Sequence, residues 1–377
     1  MAKIKLAVIC GGMSTEHNVS IVSADTILKN LNRKKYDVYP IYIDKDGKWY
    51  EFQPQDMEIK VGDDIEEKSE ISNVMEYLKK LDIVFPVLHG LYGEDGTIQG
   101  LCELLGIKYV GCKVLASSIG MDKVYSKIVF EKAGLNQANY EYIKVYKSSD
   151  QNMHYIYVDK KFNEKEYSLE KICDLVVGKL NYPLFIKPSN SGSSIGVSKA
   201  KTYKELQEAI IYAANFDEKI LIEEGINGRE LECAVLGNKC GTKCDEKFLK
   251  SENQYSCIVS ENKDTVAACV GEVKSAEESY TYDAKYKNED SKTVIPAMIP
   301  ENISSEIRRN AIRAFKAIDG KGLSRVDFFL EKDTNKIYIN EINTLPGFTA
   351  ISMYPKLFEA SGIDIKQLIE AIIDLEQ

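Results

Sequence analysis

Two polar clusters interrupt apolar strands near the end of the chain, and their residue types suit a metal and anion site. Arg325 and Asp327 alternate along one predicted strand, and Glu341 and Asn343 alternate along the next. Alternate residues of a strand share a face, and isolated charge is costly to bury there. Carboxylate and amide oxygens are ligands that Mg²⁺ takes beside nucleotide phosphates, and an arginine beside them stabilises a developing oxyanion. A buried ionic network with a structural role is the alternative.

A turn of small polar residues between Pro188 and Gly196 is the second candidate site. Its backbone N–H groups and the hydroxyls of Ser193 and Ser194 are suited to folding over phosphates. Lys187, just before the turn, supplies a point charge for a phosphate oxygen. The alternative is a flexible hairpin beside a surface lysine.

Several better-known motifs are absent or fail on context. The same turn matches G-x-S-x-G, but a nucleophile elbow needs a helix directly after the serine and a later histidine. Here a return strand is predicted near Val197–Lys199, and all three histidines precede Ser194. The sequence contains no Walker A loop, no G-x-G-x-x-G and no H-E-x-x-H.

Two turns after predicted strands, residues 11–17 and 89–96, form a third candidate site. Ligands bind at the carboxyl ends of strands in open α/β sheets. Glu16 and His89 lie in these turns and are suited to holding a small zwitterion, with Glu16 on its ammonium group. A helix-capping carboxylate and an ordinary surface histidine are the alternatives. An aromatic, lysine-containing loop at 280–287 is a weak signal when taken alone.

The elements that must position these groups change character along the chain. Strand–helix alternation with glycine-rich turns predicts a parallel α/β sheet in the first part. Its first helix is predicted over Val19–Leu31, capped by Ser14 or Ser20. Residues 159–171 are most simply a solvated surface segment. The predicted class is α/β and α+β with three domains, at 1–121, 122–214 and 215–377.

Length and charge limit the class of protein. At about 150 residues per domain, 377 residues suggest two or three domains. Lys+Arg 49 against Asp+Glu 58 gives a net charge of −9, so no global basic field exists to attract nucleic acid. The first apolar run is too short for a signal peptide, and no run is long enough to span a membrane. We therefore expect a cytoplasmic protein without nucleic-acid or membrane partners.

The nine cysteines favour a reducing compartment, since an odd number leaves at least one unpaired. Cys10, Cys102 and Cys233 lie among apolar residues and are predicted to be core side chains. A zinc site from Cys240, Cys244, Cys257 and Cys269 is disfavoured, because zinc usually takes two short Cys/His pairs and the second is missing.

Taken together, these motifs resemble the ATP-grasp superfamily and, within it, the D-alanine–D-alanine ligases. The resemblance extends over nearly the whole chain, and its seven motifs occur in the family's order. They are Gly11-Gly12-x-Ser14-x-Glu16-His17-x-Val19-Ser20; His89-Gly90 with Gly93-Glu94-Asp95-Gly96-Thr97-x-Gln99-Gly100; Met121-Asp122-Lys123; Lys187-Pro188 with Gly192-Ser193-Ser194-x-Gly196; Tyr282-Asp283-Ala284-Lys285-Tyr286; Arg325-x-Asp327; and Asn340-Glu341-x-Asn343-Thr344-x-Pro346-Gly347-Phe348-Thr349.

The resemblance implies a three-domain ATP-grasp architecture with a Rossmann-like amino-terminal domain, and it implies roles for particular residues. ATP would lie between the second and third domains, and two Mg²⁺ ions, for which Mn²⁺ is an alternative, would accompany it. The implied ATP-binding residues are Lys123, Lys187, Ser193, Ser194, Glu223, Glu224, Ile226, Glu230 and Lys285; the metal ligands are Asp327, Glu341 and Asn343; the substrate and catalytic residues are Glu16, His89, Ser193, Lys285, Tyr286, Arg325, Gly347, Ser352 and Met353.

The implied activity is ATP-dependent formation of D-alanyl-D-alanine for peptidoglycan synthesis by a cytoplasmic homodimer. D-serine or D-lactate as second substrate is the main alternative, because relatives with those substrates differ around the loop that holds Tyr286. A non-catalytic nucleotide-binding regulator and a ligase for another amino acid are the remaining alternatives. Residues 238–270 and 148–169 are longer than the resemblance leads us to expect.

Overall fold

Three six-stranded sheets succeed one another along the part of the chain that the structure describes. The structure is a computed structural model. It describes residues 2–53, 65, 67–237, 257–260, 262–274 and 292–376.

The first sheet confirms the predicted parallel α/β unit. Its strands are Ile4–Gly11 (β1), Tyr36–Ile43 (β2), Trp49–Phe52 (β3), Lys68–Glu70 (β4), Ile83–Pro86 (β5) and Lys108–Tyr109 (β6). Its order is β4-β3-β2-β1-β5-β6, with β2, β1, β5 and β6 parallel and an antiparallel edge of β3 and β4. The helices of this part are His17–Asn30 (α1), Val74–Leu78 (α2), Thr97–Leu105 (α3) and Val114–Met121 (α4).

The predicted cap of the first helix is wrong. Glu16 occupies the N-cap position without a side-chain cap hydrogen bond. The Ser14 hydroxyl donates to the carbonyl of His89 at 2.6 Å instead. Ser20 lies within α1, where its hydroxyl accepts from the N–H of Gly11 at 2.8 Å and donates to the carbonyl of Val87. Both serines therefore tie the helix to the strand-end turns that carry the candidate residues.

The second sheet has the order β11-β10-β12-β7-β8-β9. Its strands are Tyr140–Lys147 (β7), Met153–Val158 (β8), Glu164–Tyr167 (β9), Leu184–Pro188 (β10), Ser198–Ala200 (β11) and Lys219–Glu224 (β12). Helices Lys123–Lys132 (α5), Leu169–Val177 (α6) and Tyr203–Ala213 (α7) belong to the same region. The segment predicted to be simply solvated contains the edge strand β9 and the start of α6, while the return strand near Val197–Lys199 is confirmed as β11.

The third sheet carries the acidic cluster and joins the carboxy-terminal helices. Its strands are Gly228–Gly237 (β13), Ile258–Val259 (β14), Thr265–Lys274 (β15), Lys292–Val294 (β16), Gly322–Glu331 (β17) and Ile337–Asn343 (β18). The order is β14-β15-β13-β17-β18, and β16 pairs with β15. The helices are Glu301–Ala317 (α8), Met353–Ala360 (α9) and Ile365–Asp374 (α10).

The predicted boundary between residues 214 and 215 needs correction. Strand β12 pairs with β10 and β7 in the second sheet, so that boundary would separate a strand from its own sheet. We place it after Glu224. The three-domain division itself remains a prediction.

One buried apolar cluster joins the first sheet to the carboxy-terminal part. It includes Phe85 of β5, Phe348, and Tyr354 and Phe358 of α9, and the Phe85 and Phe348 rings pack edge to face with centroids 6.5 Å apart. Cys10, Cys102 and Cys233 are fully buried, which confirms their predicted core positions. None of the helices in the described ranges is both long and apolar enough to cross a membrane.

Replacing Ser20 with alanine is expected to destabilise the attachment of α1 to the carboxyl ends of β1 and β5. The hydroxyl is fully buried, and its loss leaves the N–H of Gly11 without this acceptor, which costs about 1–3 kcal/mol of unfolding free energy. Urea denaturation measures the change. Thr26→Ala is the control, since Thr26 donates only to the carbonyl of Val22 in its own helix. Equal effects of the two substitutions would contradict this assignment.

Candidate active site

A cleft of about 1530 Å³ lies where residues from all three sheets meet. All of the predicted site residues in the described ranges line it. They are Glu16, His89, Lys123, Lys187, Ser193, Ser194, Glu223, Glu224, Ile226, Glu230, Arg325, Asp327, Glu341, Asn343, Gly347, Ser352 and Met353. Lys285 and Tyr286 lie outside the described residues.

Glu16 joins the part of the chain that contains the first sheet to the turn of small residues beside the second sheet. It is 8% exposed, and one carboxylate oxygen accepts a hydrogen bond from the hydroxyl of Ser193. A Cβ added at Gly192 would lie 2.7 Å from the other oxygen, and one at Gly90 would lie 2.6 Å from it. The two glycines therefore permit an approach that a larger residue would block.

Lys123 lies in the cleft lining next to this turn. Asp122 caps α5 by accepting from the N–H groups of Val124 and Tyr125, each at 3.1 Å, and this places Lys123 in the first helical turn. Lys123 Nζ donates to the carbonyl of Ser191 at 2.6 Å and lies 3.9 Å from Glu341. The helix start is thereby attached to the turn.

The carboxylate of Glu223 lies between two ammonium groups. Lys187 Nζ is 2.5 Å from one of its oxygens and Lys127 Nζ is 2.7 Å from the other. Burial raises the pKa of Glu223, but the charges of Lys127 and Lys187 outweigh burial and lower the pKa to about 2. Glu223 is therefore ionised at neutral pH.

The residues that follow Glu223 form the rest of this wall of the cleft. Glu224 accepts from the N–H of Asn181 at 2.7 Å and from the side chain of Asn139 at 2.8 Å. Ile226 and Glu230 follow on the cleft lining, so this wall offers both apolar and acceptor groups.

Arg325, Asp327 and Asn343 form a hydrogen-bonded cluster on β17 and β18. Arg325 donates to both oxygens of Asp327, at 2.7 and 2.6 Å, and Asn343 donates to one of them at 3.1 Å. Arg325 Nε also lies 3.1 Å from Glu232. In the register, Asp327 faces Glu341 and Arg325 faces Asn343, so the predicted sharing of faces is confirmed.

The donor set suits a hard divalent cation. Asp327, Glu341 and Asn343 place two carboxylates and one amide on adjacent strands beside the open cleft. Mg²⁺ commonly takes one or two carboxylates together with substrate phosphates and water. No group of three His, Cys, Asp or Glu side chains in the described ranges is arranged to hold a metal. Phosphate and water ligands would therefore have to complete the coordination.

His89 lines the cleft, and both nitrogens of its ring also have protein partners; its substrate-binding role stays a prediction. Burial lowers its pKa, so the ring is neutral at pH 7. Nδ1–H donates to the carbonyl of Leu345 at 2.9 Å, and Nε2 accepts from the hydroxyl of Ser23 at 2.9 Å. Both ring nitrogens thus bond to protein groups on either side of the domain junction.

Glu94 is a cleft residue that sequence reasoning did not single out. Its oxygens accept from the N–H of Gly90 at 3.0 Å and from the N–H of Leu345 at 3.2 Å. Burial, and then the charge of Glu16, raise its pKa to about 8. The position of Glu94 within the motif at 89–100 was the feature of the sequence that could have identified it as a cleft residue. Glu232 was also missed, and its alternation with Glu230 on β13 was the signal there.

Gly347, Ser352 and Met353 lie together at the start of α9. Ser352 Oγ accepts from the N–H of Thr349 at 3.0 Å, and a Cβ added at Gly347 would lie 2.9 Å from that oxygen. The side chain of Met353 is 7% exposed.

Of the four cysteines considered for zinc, Cys257 and Cys269 lie in the described ranges, whereas Cys240 and Cys244 lie outside them.

Comparisons with known proteins cover almost the whole chain. The family described as "D-ala D-ala ligase N-terminus" matches residues 5–112, and "D-ala D-ala ligase C-terminus" matches residues 129–247 and 245–374. The D-alanine–D-alanine ligase of Acetivibrio thermocellus is 48% identical, over 99% of this chain and 96% of its own. That of Clostridium acetobutylicum is 44% identical, over 99% and 98%. The VanG D-Ala:D-Ser ligase structure from Enterococcus faecalis has TM-score 0.79 and 32% identity, with both chains fully covered.

The three sheets and the cleft among them define an ATP-grasp enzyme. Within that class, the chain belongs to the D-alanine–D-alanine ligase family. The family resemblance read from the seven motifs is therefore confirmed.

Glu223→Gln is expected to change the acid stability of the protein. A pKa lowered from 4.5 to about 2 on folding stabilises the folded state above pH 4.5, by about 3 kcal/mol. This stability is lost as the pH falls from 4.5 towards 2. In urea denaturation, the variant should therefore have a lower free energy of unfolding than the parent at pH 7. The difference between the two free energies should become smaller towards pH 3.5. Glu208→Gln is the control, since Glu208 forms an exposed pair with Lys204. A difference in unfolding free energy between Glu223→Gln and the parent that does not change with pH would contradict the lowered pKa of Glu223.

Proposed function

We propose that this protein joins two D-alanine molecules into D-alanyl-D-alanine, a peptidoglycan precursor, with ATP as co-substrate. The contact between Glu16 and Ser193 carries the proposal, because it closes the first domain against the turn of the second domain over the cleft. Charged groups suited to phosphates, metal ions and an oxyanion line that cleft. Family membership supports the same reaction.

ATP lies between the second and third sheets in this proposal. Lys123 and Lys187 contact its phosphates, and the turn containing Ser193 and Ser194 folds over them. Glu223, Glu224 and Ile226 bound the adenine, and Glu230 accepts from the ribose.

Asp327, Glu341 and Asn343 would hold two Mg²⁺ ions, or Mn²⁺ in their place. Bound there, the ions would offset phosphate charge and orient the terminal phosphoryl group.

In the first step, a carboxylate oxygen of one D-alanine attacks the γ-phosphorus. The bond from that phosphorus to the bridging oxygen breaks, so ADP leaves and an acyl phosphate forms. Glu16 holds the ammonium group of this first D-alanine, and Lys285 contacts the transferred phosphoryl group. The contact of Glu16 with Ser193 holds the loops shut, and the family resemblance assigns Tyr286 to the same task.

In the second step, the amine of another D-alanine attacks the acyl carbon, phosphate leaves and the amine loses a proton. Arg325 and the backbone near Gly347 stabilise the oxyanion. Ser352 takes the second carboxylate, with Met353 beside it. His89 borders the substrate, and its two ring nitrogens also hold the first sheet to the residues that follow β18. Closed loops exclude water, which would hydrolyse the acyl phosphate.

Phosphate release from ATP and Mg²⁺ with D-alanine alone tests the reaction, with the product identified by mass. We expect dipeptide from D-alanine alone. Turnover only with added D-serine or D-lactate would assign the other substrate class, and ATP binding without turnover would favour a regulator. A homodimer in the cytoplasm remains part of the prediction.

Glu341→Gln tests the metal role. The amide keeps the size of the side chain but removes one charged ligand, so turnover should fall by about a hundredfold or more. Thermal unfolding should shift little, because Glu341 is partly exposed and its ion pair with Lys123 is long. Near-normal turnover would remove Glu341 from the proposed ligand set.

A further inference from the structure

A buried lysine lies behind the cleft wall and has no role in the proposed reaction. Lys127, on α5, is 2% exposed and reaches Glu223 from the side away from the cleft, which it does not line. Its Nζ is 2.7 Å from one oxygen of Glu223 and 5.3 Å from the centroid of the Tyr140 ring. Lys123, one helical turn earlier, faces the cleft.

The row Lys127–Glu223–Lys187 carries two positive charges for one negative charge. Lys187 Nζ is 2.5 Å from the second oxygen of Glu223 and 3.5 Å from the side-chain oxygen of Asn340. Glu341 and Glu230 also act on Lys187. Lys187 therefore has other polar groups towards which it can move, while Lys127 stays within the protein behind Glu223.

This geometry constrains how Lys187 can reach a phosphate. If Lys187 leaves Glu223, the buried carboxylate still needs a counter-ion, and removing one partner of a buried pair is strongly unfavourable. Lys127 already supplies that counter-ion on the other oxygen.

We propose that Lys127 is a positioning residue for ATP binding: it remains the counter-ion of Glu223 and so frees Lys187 to contact a nucleotide phosphate. The inference rests on the proposed function, which places ATP in this cleft. Without Lys127, Lys187 stays on Glu223 in most molecules. Apparent affinity falls in proportion to the fraction of molecules that are competent to bind.

Lys127→Met keeps most of the side-chain volume and removes the charge. We expect the KM for ATP to rise by about tenfold or more, with kcat at saturating ATP within about threefold of the parent. Calorimetry with a non-hydrolysable ATP analogue should show the same loss of affinity. Lys179→Met is the matched control, since Lys179 pairs with the buried Glu141 on the same sheet but outside the cleft. It should leave the KM for ATP unchanged.

A double-mutant cycle separates this role from a structural one. In Glu223→Gln protein the carboxylate that lies 2.5 Å from Lys187 is gone, so adding Lys127→Met should change the KM for ATP by less than about threefold. If the Glu223→Gln single variant does not fold, the comparison is made between Lys127→Met and the variant that carries both substitutions. The variant with both substitutions must then bind the ATP analogue more tightly than Lys127→Met alone. An unchanged KM in Lys127→Met, or the same loss in both backgrounds, would overturn the proposal.

Measurements on the parent protein distinguish a failure of the proposed function from a failure of the proposal for Lys127. Absence of D-alanine-dependent turnover would overturn the proposed function. Binding of the analogue, measured across the same variants, tests Lys127 whatever the second substrate is.

Discussion

Pairing of buried charges is the constraint on which this site depends. The cleft walls are apolar strands, and every ionised side chain placed there must meet an opposite charge or several hydrogen bonds. Glu223 lies between Lys127 and Lys187, and Asp327 accepts from Arg325 and Asn343. Each pairing fixes side-chain directions before any ligand binds. A site organised in this way loses little freedom when nucleotide and amino acid arrive.

The pairings also show which charged groups have a second partner within reach. Both oxygens of Asp327 accept from Arg325, so in the proposed metal site a cation would share this carboxylate with Arg325, which has another acceptor within reach. Glu232, 3.1 Å from the same guanidinium, is such an acceptor. Lys187 has a similar choice among Glu223, Asn340 and the cleft. Charged groups therefore have a resting partner and a second partner within reach.

The domain junction is held by a second set of contacts, most of which are neutral. His89, in its neutral form, joins Ser23 of α1 to the carbonyl of Leu345, and Ser23 accepts from the N–H of Phe348. The apolar packing of Phe85 against Phe348 continues this junction. The first and third sheets are thereby fixed to each other, while Glu16 contacts the second through a turn with Ser193 and Ser194 at positive φ.

The sequence by itself determined the strands that carry the site motifs and the chemistry of their side chains. Alternation along β17 and β18 predicted that Arg325 and Asp327 share a face, because the two-residue period is a local property of a strand. The sequence did not determine which hydrogen-bond partners a side chain finds on distant elements of the fold. Ser14 or Ser20 was predicted to cap the first helix, yet Ser20 bonds Gly11 and Val87. His89 was predicted to bind substrate, and nothing in the sequence showed that its ring nitrogens bond Ser23 and Leu345. Lys127 carried no signal except its place one turn after Lys123. Only tertiary structure decides such partners, since the burial and the approach of separate strands that select them depend on the packing of the whole chain.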